Sequence, residues 1–175
     1  MQQFLASTVA LIVLILSACA PTSAPQAPAQ ELKVVTINNA AIVRGQTIYV
    51  PIYSYIYSPD QTQQMNLTAT LSVRNTDLVN SIIIAAVNYY NTSGERVRQY
   101  LEQPVEVRPL AAASFLVDRD DTAGGVGASF VVEWVSQTSV SDPVVEAVMI
   151  NTAGNQGLSL VSQGRVIKTR SANQP

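Results

Sequence analysis

The residues able to do chemistry in this 175-residue chain fall into a few small groups. Cys19 is the only cysteine; it closes an apolar run, where its thiol could take a lipid but has no second thiol for a disulfide. Tyr49, Tyr53, Tyr55 and Tyr57 alternate with Ile48, Val50, Ile52 and Ile56, so an extended chain would set four phenols on one face. Such a face could hold a sugar ring or a partner's surface, or simply cover its sheet. Asp118, Asp120 and Asp121 gather carboxylates that could offer oxygen to a weakly held Ca²⁺, although no EF-hand loop surrounds them and Asp also ends strands for local reasons. Glu133 and Glu146 lie inside apolar strands, as do Arg74 and Arg108; they are expected to be solvated or paired. Two such glutamates could hydrolyse a glycan only with their carboxyls about 5–9 Å apart.

What is missing narrows the chemistry further. There is no histidine, and with Cys19 acylated the chain lacks the usual ligands for zinc and copper and the usual base for a Ser or Cys nucleophile. No cofactor, metal centre or enzymatic activity is therefore expected. The glycines at 124, 125 and 127 have the look of a phosphate loop, but a strand follows them instead of a helix, which favours a tight turn. Ten Lys and Arg against twelve Asp and Glu give a net charge of −2, which offers no case for nucleic acid.

The elements that would position these groups begin with a leader. Phe4 to Leu16 is apolar except for Ser7 and Thr8. As a helix it would reach about 20 Å, short of the roughly 30 Å hydrocarbon core of a bilayer, which suits a signal peptide better than a span. Leu16-Ser17-Ala18-Cys19 resembles the lipobox of bacterial lipoproteins, in which the cysteine is acylated and the chain is cut before it. Met1-Gln2-Gln3 departs from the pattern by carrying no Lys or Arg; the alternative is an uncleaved hydrophobic anchor extended through Ala20. Residues 1–18 are thus expected to be a lipoprotein signal peptide, and 19–32 the lipidated cysteine and an extended tether containing Pro21, Pro25 and Pro28. Both readings put the protein in a bacterial cell envelope, attached to a membrane and facing the periplasm or exterior, with a protein or glycan of the envelope as its expected partner.

From Lys33 to residue 170 the pattern has period two, which predicts a single all-β domain followed by a short tail at 171–175. Leu67, Ala69, Leu71 and Val73 alternate with polar residues up to the turn-forming Asn75-Thr76-Asp77. Ser81 to Tyr90 is apolar on both faces, as in a central strand, and Asn91 to Gly94 turns it into a hairpin with Glu95 to Glu102. Further strands are expected near 105–107, 110–117, 129–135, 144–150 and 158–169, and Thr47 to Tyr57 reads as one edge strand marked by Pro51. Such spacing argues for an antiparallel β-sandwich, immunoglobulin-like in architecture, with a closed β-barrel as runner-up.

Val50-Pro51, Tyr53-Ser54, Leu71 to Asp77, Tyr89 to Gly94 and Tyr100-Leu101 carry a family resemblance. It continues through Ala123-Gly124-Gly125, Phe130 to Trp134, Glu146 to Ile150 and Gly164-Arg165-Val166. Together they resemble the bacterial family called domain of unknown function (DUF) 3124. The resemblance implies a small envelope-associated β domain and supplies no activity. The function expected from the whole chain is a non-catalytic binding or assembly module; the alternatives are a carboxylate-based hydrolase of envelope glycans and a strand-adding structural accessory.

Overall fold

Alternation of buried and exposed residues is the organising feature of the computed structural model, which describes residues 32–57, 62–153 and 157–171. The proposed leader, most of the tether and the end of the tail lie outside the described residues, Cys19 with them. The strands are β1 (Lys33–Val34), β2 (Arg44–Pro51), β3 (Tyr55–Tyr57), β4 (Gln64–Asn66), β5 (Thr68–Arg74), β6 (Ile82–Tyr90) and β7 (Arg96–Gln99), then β8 (Val105–Val107), β9 (Ala112–Val117), β10 (Ser129–Ser136), β11 (Val144–Asn151), β12 (Leu158–Gln163) and β13 (Arg165–Ser171). All pair antiparallel.

A seven-stranded sheet runs β1-β8-β6-β10-β2-β13, with β7 also pairing to β6, and a four-stranded sheet runs β12-β11-β5-β9; β3 and β4 form a separate ribbon. The inner faces of the two large sheets make one core. Ile48, Val50, Ile84, Tyr89, Phe130 and Trp134 come from one side, and Leu71, Val73, Phe115, Val117, Ala147 and Met149 from the other. Burying such side chains at about 1.5–3 kcal/mol each supplies the main drive to fold, with no disulfide needed. The architecture is thus an antiparallel sandwich; its sheets do not close into a barrel. An immunoglobulin domain divides its strands four and three, so the likeness is confined to two packed sheets.

Three sequence expectations change in detail. Apolar residues on both faces of Ser81 to Tyr90 arise from a β-bulge as well as from a central position. Opposite Glu133 and Trp134 the ladder skips Ala85, so the inward set passes from Ile82 and Ile84 to Val87 and Tyr89. The segment 158–169 is two strands, not one. The chain crosses from the four-stranded to the seven-stranded sheet at Gly164, whose N–H donates to the Val145 carbonyl at 2.8 Å. A Cβ there would sit 2.6 Å from Ile48 Cγ2 and 2.8 Å from the Val145 oxygen, so only glycine fits the corner. Finally, β2 is an internal strand. Pro51 is tolerated because it lies at the strand's end, beyond the reach of β13, which pairs only as far as Tyr49.

Candidate functional site

The four-tyrosine face does not form. The chain leaves the seven-stranded sheet after Pro51 and turns inward, burying Ile52 and Ser54. The Ile52 N–H donates to the Ala128 carbonyl and the Ser54 N–H to that of Gly125. This break leaves Tyr49 on β2 and Tyr55 and Tyr57 on the β3–β4 ribbon, their rings edge to face at 5.7 Å. Hydrogen bonding to Tyr57 raises the Tyr55 phenol above its ordinary range. Tyr53, on the connecting segment, is partly exposed and donates its N–H to Met149 Sδ.

Tyr49 has different company from that expected. It lies on the outer face of the seven-stranded sheet, and the strand register aligns Gln99, Asn88, Val131, Tyr49 and Arg165 in one row across β7, β6, β10, β2 and β13. At about 4.8 Å between strands the row spans about 19 Å. Asn88 is nearly covered, yet its Oδ1 has no hydrogen-bond partner among the described residues, an uncommon state for a buried oxygen. At the β13 end, Tyr49, Pro51, Val161, Gln163, Gly164 and Arg165 line a concavity of about 670 Å³. Among the described residues no side chain hydrogen-bonds the Tyr49 phenol or the Arg165 guanidinium, and the unpartnered Asn88 oxygen lies just beneath this stretch of surface.

The hydroxyls of Ser54, Tyr89 and Thr92 are committed to structure. Ser54 Oγ and Tyr89 Oη share a hydrogen bond of 2.6 Å at two fully buried residues, and burial pushes the Tyr89 phenol up. Gly124 packs against both, and its carbonyl accepts from the Thr92 N–H at 2.9 Å and from Thr92 Oγ1 at 3.0 Å. Residues 125–127 form a single turn of 3-10 helix entered at Gly125, φ +74°, so the glycine loop is a tight turn fastened to the core.

The Asp118 to Asp121 carboxylates are not gathered. Asp121 accepts from Arg98 Nη2 at 2.7 Å, and Asp120 meets Arg119 at 3.4 Å. Among the described residues no three acidic, His or Cys side chains are placed to share a metal. Glu133 projects from the outer face of the seven-stranded sheet, whereas Glu146 projects from that of the four-stranded sheet and binds Arg74 at 2.7 Å. The core separates them, so they do not converge on one substrate.

Sequence reasoning missed Asn88, Gln99 and the cations of β13. Arg165 and Lys168 are three residues apart, which in a regular strand puts them on opposite faces. A bulge at Ile167 restores Lys168 to the face of Arg165, opposite Thr47. Only the pairing register carries that signal.

No protein of curated description matches the chain significantly. Among solved structures, the crystal structure of Thermotoga maritima 1070 is similar over 69% of this chain and 92% of its own, at 12% identity and a TM-score of 0.45. The family model described as protein of unknown function (DUF3124) matches residues 45–167, from β2 into β13. This chain therefore belongs to the DUF3124 family.

Proposed function

We propose that this protein is a non-catalytic binding or assembly module, lipid-anchored through Cys19 in a bacterial cell envelope, and that it meets its partner with the outer face of the seven-stranded sheet. The observation that carries the reading is the row Gln99, Asn88, Val131, Tyr49 and Arg165, which ends in a concavity and holds a buried oxygen without a partner. An extended polar partner, a glycan chain or a protein segment, suits a row of that length. Phenol and guanidinium together offer stacking and charge-assisted hydrogen bonds. The separation of Glu133 from Glu146 speaks against the hydrolase alternative.

The test is glycan-array and envelope cross-linking profiles of the full chain against Tyr49→Ala and Arg165→Ala. Loss of the same bound species in both variants, with melting temperatures unchanged, is the expected result. Profiles identical to wild type would remove the row from the function.

A further inference from the structure

The edge of the seven-stranded sheet carries a charge pattern unlike the rest of the molecule. Lys33, Arg44, Arg74, Arg98 and Arg119 each make an ion pair. Of the ten cations, that leaves Arg96, Arg108, Arg165, Lys168 and Arg170 without an ion pair among the described residues. Three of these five lie on β13, and no acidic residue follows Glu146 in the sequence. The register sets Arg165 beside Tyr49, Lys168 beside Thr47 and Arg170 beside Gly45, so all three face outward at successive alternate positions, about 7 Å apart. Glu133, opposite Thr47 from the other side, is two strands from Lys168 and makes no ion pair with it. Every residue of β13 is exposed, and among the described residues its backbone pairs with β2 alone.

From this juxtaposition we infer that β13 accepts an extended acidic segment of a partner protein as an added strand, its Asp or Glu side chains at alternate positions facing Arg165, Lys168 and Arg170. The match is one of repeat as well as sign: a strand laid on this edge has the same spacing as β13 and brings each second side chain directly opposite. A second copy of this chain is a poor occupant, because it would set cation against cation. Cations on an edge strand also deter unwanted pairing, and that effect selects against neutral and basic strands while admitting an acidic one. The inference rests on the binding-module reading and names its partner's chemistry.

The test uses the full chain in non-ionic detergent and a synthetic peptide with glutamate at alternate positions in a threonine–valine background. Comparison peptides have the same glutamates in one block, lysines in their place, or N-methylated backbone amides; polyphosphate is the non-peptide anion. The alternating acidic peptide is expected to bind at least about tenfold tighter than any comparison probe and to shift the β13 amide resonances. The R165E/K168E/R170E variant should reverse the preference toward the lysine peptide. Equal binding of blocked, N-methylated and polyphosphate probes would overturn the inference, reducing the row to a diffuse anion surface. No binding of any acidic probe by protein that melts normally would overturn it too. The broader reading has its own readout in the Tyr49-dependent partner profile, so the two can fail separately.

Discussion

Two buried polar groups show how single residues hold this domain together. Tyr89 brings a hydroxyl into the core, and Ser54 satisfies it; neither has solvent to fall back on. Tyr89→Phe is expected to cost about 1–3 kcal/mol, because the Ser54 hydroxyl is left without its buried partner, and urea denaturation will measure it. Gly124→Ala should cost more, since its methyl would stand 2.6 Å from Ser54 Oγ and closer still to Tyr89 Oη. Asp77 works by charge. Its carboxylate accepts from the Asn80, Val79 and Ser141 N–H groups, which hold it below the ordinary carboxylate range. Hydrogen bonds from Lys33 and Ser81 do the same for Glu106. A carboxyl lowered by folding contributes its stability in full above its unfolded value, about 4, and loses it as pH falls through the folded value. Wild-type melting temperature should therefore fall more steeply below about pH 4 than that of Asp77→Asn, which keeps one acceptor oxygen but cannot titrate. Parallel curves for the two proteins would refute the assignment.

At the scale of strands, Gly164 decides whether the two sheets share a corner. Gly164→Ala should push β13 away from Ile48 and β11, at a cost of about 1–3 kcal/mol, with increased hydrogen exchange in β13 and little change in β6 or β10. The same corner marks the limit of what the sequence made legible. Alternation in 67–73 and the apolar runs at 110–117 and 144–150 announced strands, the second of which begins at Ala112, because a period of two survives wherever the ladder is regular. It failed at irregularities. Ala85 and Ile167 each add a residue to one strand and exchange its faces, and Ile52 and Ser54 turn the chain into the core between Tyr49 and the Tyr55–Tyr57 pair. Local sequence does not encode these steps, because each is fixed by a partner strand far along the chain. Tyr49 was accordingly found among the candidates, while its row-mates Asn88 and Arg165, on different strands, were not.

At the scale of the whole molecule, the stretch proposed to fix address and the stretch that folds are separate in sequence, and so are their predicted failures. Among the described residues the buried core runs from Ile48 to Met149. The reach of the proposed anchor is a matter of the Pro-containing stretch between Cys19 and the domain, and both can be tested by variants. Full-length protein expressed in a bacterium is therefore expected to incorporate labelled fatty acid and to enter the detergent phase on partition. Cys19→Ala should abolish both while leaving the melting temperature within about 1 °C, as expected of a substitution outside the buried cluster of Ile48 to Met149. Label that persists in Cys19→Ala would refute acylation at this thiol. Loss of label together with a lowered melting temperature would instead tie the leader to the fold. A tether shortened by removal of Pro21 to Pro28 separates attachment from reach: labelling should survive, whereas cross-linking that depends on Tyr49 should fall, since a domain held against the bilayer cannot present one whole face to a long partner.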